Sequence, residues 1–203
     1  MNIRICGTGS ALPERKITND DLSQIMDTSD EWISSRTGIK TRHLATEETT
    51  TSLATEAAKK ALADADMKPE EVELIIAATV TPDHLVPTLS CEVQREIGAV
   101  NAVAFDLGAA CSGFLFALST AQAYIASGRF KNALLIGAEV LSKIMDWNDR
   151  STCVLFGDGA GAAVVRADEE NICHVVQGSD GAKGLVLACE NLSLIHISEP
   201  TRP

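Results

Sequence analysis

Short apolar runs alternate along the chain with amphipathic segments, and this alternation predicts an α/β fold. The run at 74–79 is almost continuously apolar, which is typical of a parallel strand covered on both faces. The pattern predicts strands at 3–6, 74–79, 102–107, 133–138, 162–166 and 172–177. It predicts helices at 18–26, 29–37, 51–65, 88–97 and 112–127. A mixed sheet wrapped by helices follows from this order.

Cys111 stands where the strand 102–107, interpreted as buried, ends and the alanine-rich helix 112–127 begins. The small residues 108–110 predict a tight turn between the two. Unpaired backbone N–H groups and the helix dipole at such a point favour the thiolate, which is the reactive form of cysteine, and the same N–H groups suit an oxyanion. A packed core cysteine is the alternative, because free cysteine is among the most buried residue types. The residues alone leave both interpretations open.

Four sequence blocks carry a resemblance to a known family. They are GTGSALP at 7–13, TSDEWISSRTGI at 28–39, DLGAACSGF at 106–114 and FGDGAGA at 156–162. In this order and spacing they resemble the β-ketoacyl-acyl-carrier-protein synthase III family, the condensing enzymes that initiate bacterial fatty-acid synthesis. The block at 28–39 is the more specific one, since related condensing enzymes share the motif around Cys111.

The resemblance implies a thiolase-like fold, of which residues 1–190 form the first half only. It also implies a two-stage condensation. The Cys111 thiolate first takes the acyl group of an acyl-coenzyme A, acetyl-coenzyme A being the expected primer, and malonyl-acyl-carrier protein then gives a 3-oxoacyl-carrier protein, carbon dioxide and free coenzyme A. In the family a His and an Asn of the second half support the decarboxylation, and no position of this sequence matches them. We therefore expect an acyltransferase whose present chain is inactive in condensation.

Coenzyme A binding is expected at Thr28, Trp32, Arg36 and Arg150. An indole offers a flat face to adenine, and arginines stack on bases or bind phosphates. Judged by residue type alone, a core tryptophan and solvated arginines are the commoner explanation. The resemblance places Trp32 against the adenine, Arg150 on the other face of that base, and Arg36 and Thr28 at further contacts.

Composition excludes several other classes of protein. The net charge is −11, without a basic stripe, which disfavours nucleic-acid binding. The six cysteines form no CxxC pair, so neither a zinc site nor a disulfide framework is predicted, and no metal is expected. No leader or membrane-spanning run is present in the sequence, and a cytoplasmic location is expected. No permanently bound cofactor is expected, because acyl-coenzyme A is a substrate.

Several local motifs receive a structural interpretation. GDGAGA at 157–162 matches a dinucleotide fingerprint, but the run 163–165 after it predicts a strand where that fingerprint needs a helix. Residues 7–9 are interpreted as a loop. His43, His84 and His174 are interpreted as ordinary surface or loop histidines.

Two further features concern the substrates. Arg36, Lys40 and Arg42 form a locally basic patch that suits phosphates or an acidic carrier protein, although a solvated face explains it equally well.

Val86 stands where many members of the family carry a phenylalanine that crosses the dimer and limits the acyl pocket. A larger pocket and a simple packing difference are both compatible with it, so the primer is left open between acetyl and longer or branched groups.

The tail 191–203 does not resemble the family, and its sequence looks like the translation of a sequencing adapter. One alternative to a complete synthase is therefore a truncated, non-catalytic module that binds acyl-coenzyme A or the carrier protein. Another is a condensing enzyme of secondary metabolism. For the full-length enzyme the resemblance implies a homodimer in which residues 101–106 pair with their copy across a twofold axis.

Overall fold

The structure is a computed structural model, and it describes residues 2–170 and 174–186. Residues 1–173 form one compact unit. Of the second unit, the described part contains the 3-10 helix Gly181–Val186. The tail 191–203 lies outside the described residues, so its interpretation stays a prediction.

The described part of the first unit contains seven strands and six α-helices. The strands are β1 (Asn2–Ala11), β2 (Lys16–Thr18), β3 (Thr41–His43), β4 (Leu74–Ala78), β5 (Val103–Leu107), β6 (Asn132–Val140) and β7 (Asp158–Asp168). The helices are α1 (Asn19–Ser23), α2 (Asp30–Thr37), α3 (Thr50–Asp64), α4 (Leu89–Ile97), α5 (Gly113–Ala126) and α6 (Arg150–Cys153). Short 3-10 helices lie at Pro69–Glu71, Ala110–Ser112 and Leu141–Lys143.

Five strands form one mixed sheet in the order β1-β7-β6-β4-β5. β4 pairs in parallel with β5 and β6, whereas β7 pairs antiparallel with both β6 and β1. β2 and β3 form a separate antiparallel pair. The sheet is therefore parallel on the side that carries Cys111, and the carboxyl ends of β4 and β5 meet at one edge.

Helices cover both faces of this sheet. α3 and α4 bury one face through an alanine-rich cluster that includes Ala57 and Ala61, both fully buried. α5 buries the other face with Ala117, Ala121 and Ile125. A third, smaller cluster joins α1, α2 and α6. The predicted mixed sheet covered by helices is confirmed.

Helix ends follow the polar signals in the sequence. Ser29 caps α2 by accepting a hydrogen bond from the backbone N–H of Trp32, and Gly38 ends that helix in the left-handed conformation. Thr18 and Thr49 open α1 and α3 with reciprocal capping boxes. Each predicted helix is confirmed within a few residues of its expected ends.

The loop predicted at residues 7–9 is wrong. These residues continue β1 and pair with residues of β7. A Cβ on Gly7 would lie 2.4 Å from the backbone nitrogen of Ala65, and one on Gly9 would lie 2.2 Å from the carbonyl oxygen of Ala57. The glycines thus allow the backbone of α3 to approach β1 closely, a tertiary requirement that the local pattern does not contain.

Two other expectations change. β5 was expected to be buried, but it lies at the sheet edge and Val103 is 49% exposed. A strand was expected at 172–177, but the described part of that range, 174–177, has no regular secondary structure, and its first residues lie outside the described part.

Candidate functional site

Cys111 occupies a strained turn between β5 and α5. It lies in the 3-10 helix Ala110–Ser112, two residues before α5 begins, and it is exposed. Ala110 has a φ of +43°, a left-handed conformation that alanine rarely adopts. Gly113 lets the chain pack closely on β4, because a Cβ there would lie 2.8 Å from the Cβ of Ala78. The packed-core alternative for Cys111 does not fit this exposure.

Trp32 lies in the first turn of α2 with two arginines over its ring. The guanidinium carbon of Arg36, one helical turn further on, is 4.5 Å from the ring centroid. The guanidinium carbon of Arg150, from α6, is 5.2 Å from it. Residues more than a hundred positions apart are thereby brought together.

Arg150 is held in place by a residue that the sequence analysis did not single out. Its Nη1 donates to the backbone carbonyl of Asp27 at 2.6 Å and lies 3.3 Å from the carboxylate Oδ2 of the same residue. Asp149 caps α6 by accepting the backbone N–H of Ser151. Hydrogen bonds from Ser151 and Thr152 lower the pKa of Asp149. No pattern in the sequence signals the pairing of residues 27 and 150.

Thr28 follows Asp27 and carries an unsatisfied hydroxyl. Its Oγ1 is buried and has no hydrogen-bond partner among the described residues. A buried hydroxyl without a partner is uncommon in folded proteins and is available to a ligand. In the described structure, Arg36 and Arg150 thus both lie over the ring of Trp32, and Thr28 is close to Trp32 in sequence.

The basic patch predicted at Arg36, Lys40 and Arg42 is wrong for Arg42. Arg42 is only 5% exposed, and its Nη2 donates to the Oδ1 of Asn19 and to the carbonyl of Val154. Burial lowers the pKa of Arg42. Successive side chains of β3 point to opposite sides, and that of Arg42 points inward. Of the three residues, Arg36 and Lys40 therefore remain as surface cations. The Nζ of Lys40 lies 3.6 Å from the carboxylate Oδ2 of Asp30.

The connection between β4 and α4 forms a second feature, which we call the 79–87 loop. Its residues Leu85 and Val86 are 83% and 86% exposed. His84, interpreted from sequence as an ordinary surface histidine, places its Nδ1 2.8 Å from the carboxylate of Glu92 on α4. His43 lies in β3, half-buried, with its Nδ1 2.6 Å from the carbonyl of Pro13.

Comparison with known proteins agrees with this geometry. The family model "3-Oxoacyl-[acyl-carrier-protein (ACP)] synthase III" matches residues 105–181. A β-ketoacyl-[acyl-carrier-protein] synthase III of Clostridium acetobutylicum is 54% identical over 196 residues, covering 96% of this chain and 60% of the relative. The chain belongs to the 3-oxoacyl-acyl-carrier-protein synthase III family. It spans about 60% of the length of that relative.

Comparison with solved structures identifies the fold. The crystal structure of synthase III from Aquifex aeolicus is 56% identical, with a TM-score of 0.81, over 83% of this chain and 55% of that one. The priming β-ketosynthase of the R1128 polyketide biosynthetic pathway is 38% identical, with a TM-score of 0.92, over 98% of this chain and 60% of that one. The fold is thiolase-like. None of the described helices combines the length and the apolar character needed to cross a bilayer.

Proposed function

We propose that this synthase III chain takes the acyl group of an acyl-coenzyme A onto Cys111 and that the protein condenses it with malonyl-acyl-carrier protein. The observation that carries the proposal is the exposed Cys111 thiol directly before α5, held there by the left-handed backbone of Ala110. Strained backbone of this kind clusters at functional sites. The proposed setting is fatty-acid synthesis in the cytoplasm.

In the first stage the Cys111 sulfur attacks the thioester carbonyl of the acyl-coenzyme A. The new C–S bond forms as the bond to the coenzyme A sulfur breaks, and the departing coenzyme A thiolate takes up the proton that the Cys111 thiol gave up. The developing oxyanion needs hydrogen-bond donors. The backbone N–H groups of Ser112 and Gly113 already donate to the carbonyls of Ala109 and Ala110. The small side chains around Cys111 leave room for the carbonyl to approach.

Coenzyme A is held by the cluster around Trp32 in this proposal. The indole stacks on the adenine ring, and the guanidinium groups of Arg36 and Arg150 bind the base or the phosphates. The unsatisfied Oγ1 of Thr28 supplies a hydrogen bond to the ligand. A bound base must share or displace the arginine contacts that now cover the ring at 4.5 Å and 5.2 Å.

In the second stage malonyl-acyl-carrier protein loses carbon dioxide, and the resulting enolate attacks the Cys111 thioester carbonyl. The 3-oxoacyl product leaves on the carrier protein, and Cys111 is regenerated. This stage needs hydrogen-bond donors facing the enolate oxygen. We propose that these donors are the His and the Asn that the family carries in the second half of its fold.

The proposed assembly is a homodimer through the edge of β5. β5 ends the five-stranded sheet and Val103 is half exposed, which leaves a free edge for pairing with a second copy. We further propose that Val86 of one copy limits the acyl pocket of the other. A valine there, smaller than phenylalanine, leaves room for primers longer than acetyl.

Release of free coenzyme A tests the proposal. The chain is incubated with acetyl-coenzyme A, with and without malonyl-acyl-carrier protein, and the free coenzyme A is separated from the protein and quantified by liquid chromatography. We expect one equivalent of coenzyme A per chain without the carrier protein, and none from Cys111→Ser. A matched Cys91→Ser variant keeps the release. Equal release by the Cys111→Ser variant contradicts the proposal, and binding without release favours the non-catalytic module.

A priming role in polyketide assembly is the second candidate. The similarity to the R1128 priming ketosynthase favours it, although the fatty-acid synthases are the more identical relatives. A panel of acetyl-, propionyl-, isobutyryl- and hexanoyl-coenzyme A separates the two. Preference for acetyl- or for the branched isobutyryl-coenzyme A agrees with the fatty-acid role, since the space beside Val86 admits primers longer than acetyl. Preference for the unbranched hexanoyl-coenzyme A supports the polyketide role.

A further inference from the structure

The 79–87 loop is anchored at several points although its tip is exposed. Near its start, the backbone N–H groups of Val80 and Thr81 donate to the carboxylate of Glu139 at 2.8 Å and 3.0 Å. Further along, Asp83 accepts the backbone N–H groups of Thr50 and Thr51 at the start of α3. These contacts fix the loop up to residue 83, so the position of the exposed tip depends on the next residue, His84.

Glu92 is the partner of His84, and its environment explains why this contact matters. The Glu92 side chain is only 6% exposed. One of its carboxylate oxygens accepts the Thr51 hydroxyl at 2.8 Å and the other lies 2.8 Å from the Nδ1 of His84. A buried carboxylate is costly unless it is hydrogen-bonded and its charge is compensated. His84 is the group of this set that can supply a positive charge to Glu92.

We propose that His84, through its bond to the buried carboxylate of Glu92, is the positioning residue for the Leu85–Val86 tip. His84 ties the exposed segment to Glu92 on α4, which in turn contacts Thr51 on α3, and the two apolar side chains that follow are thereby presented in one fixed direction. Since the tip is proposed to limit the acyl pocket of a second copy, its selectivity for primers depends on His84. This last consequence rests on the proposed function.

Other charged groups surround this contact. Asp83 precedes His84 and is paired with Lys143, which follows β6. Hydrogen bonds from Lys143 and Thr51 outweigh the effect of burial and hold the pKa of Asp83 well below its usual range, so this carboxylate stays ionised at neutral pH.

Backbone ¹⁵N relaxation of the chain tests the positioning directly. We expect order parameters for residues 85 and 86 of about 0.85 in the unaltered chain at pH 5.5, falling below about 0.6 in His84→Gln. His174→Gln, which removes an exposed histidine, is the matched control and should leave these order parameters unchanged. Equal order parameters in the unaltered chain and in His84→Gln overturn the proposal.

A second arm measures selectivity on the same proteins. The rates of Cys111 acylation by acetyl- and isobutyryl-coenzyme A are compared, and we expect His84→Gln to change their ratio at least threefold (about the effect of one weak contact). An unchanged ratio alongside lowered order parameters overturns the role in selectivity. If no acyl-coenzyme A modifies Cys111, the proposed function fails, and the relaxation data still decide whether His84 positions the tip.

Discussion

At the scale of single residues, one unusual backbone angle lies beside the proposed nucleophile. Ala110 holds a φ of +43° immediately before Cys111, and such a conformation costs about 1–3 kcal/mol in a residue with a Cβ. We predict that Ala110→Val shifts the turn, lowers stability by about 1–3 kcal/mol, and slows alkylation of Cys111 by iodoacetamide. Ala110→Gly, which lacks a Cβ, should keep the alkylation rate. An unchanged rate in Ala110→Val would show that the turn does not position the thiol.

Trp32 gives the second prediction at this scale. Stacking of a base on an aromatic ring contributes about 1–3 kcal/mol, so Trp32→Ala should weaken coenzyme A binding roughly 5- to 150-fold in isothermal titration calorimetry. Trp147→Phe, at the other tryptophan, serves as the control and should bind as the unaltered chain does. Equal affinities in all three proteins would remove Trp32 from the site.

Residue type and motif predict Cys111, Trp32, Arg36 and Arg150 as site residues, and this assignment stays a prediction. The sequence did not identify the contacts that depend on tertiary structure. The pairing of Asp27 with Arg150 joins residues 123 positions apart, and the turn of Arg42 into the protein interior follows from its place on β3. No local pattern encodes either of them.

At the scale of elements, the close packing of β1 on α3 is the feature that periodicity missed. A Cβ at Gly9 would lie 2.2 Å from the carbonyl of Ala57 and 2.5 Å from the nitrogen of Ala61, both backbone atoms that cannot move aside. We predict that Gly9→Ala lowers the free energy of unfolding by at least about 2 kcal/mol in urea denaturation. Gly161→Ala is the matched control on β7, because open space surrounds that position, and its effect should stay within about 1 kcal/mol.

Asp83 links the 79–87 loop to the start of α3, and this link depends on pH. Burial alone would raise the pKa of Asp83, but hydrogen bonds from Lys143 and Thr51 outweigh it and lower the pKa. A lowered pKa in the folded protein means that Asp83 stabilises the fold above its unfolded pKa of about 3.9 and loses this effect as the pH falls further.

We therefore predict that Asp83→Asn destabilises the chain at pH 7 by about 1–3 kcal/mol and that the difference from the unaltered chain shrinks below pH 4. Thermal unfolding followed by circular dichroism between pH 7 and pH 2 measures both. A difference that stays constant over this range would mean that the charge of Asp83 has no part in anchoring the loop.

At the scale of the whole molecule, the alternation of apolar and amphipathic segments was sufficient to predict the layers and the mixed sheet. It could not predict which strand lies at the edge. The apolar character of β5 suggested burial, yet only neighbouring strands decide exposure, and β5 has one neighbour in the described sheet. α5 is apolar on most of its sides and leaves Leu115 63% exposed.

This exposure leads to a prediction for the chain produced by itself. The exposed side chains of α5 and of the 79–87 loop should bind the dye 1-anilinonaphthalene-8-sulfonate, because exposed apolar patches of folded proteins do so. Leu115→Lys should reduce the fluorescence. A dye signal that is no higher than that of a compact monomeric protein would contradict the expectation of an uncovered apolar surface.

The central claim is that Cys111, among the six cysteines, carries the acyl group. The most direct measurement is mass spectrometry of the peptides obtained after a brief incubation with acetyl-coenzyme A. We predict one acetyl group, on the peptide that contains Cys111, and its loss on treatment with hydroxylamine, as expected for a thioester. Acetylation spread over several cysteines, or none at Cys111, would contradict the account.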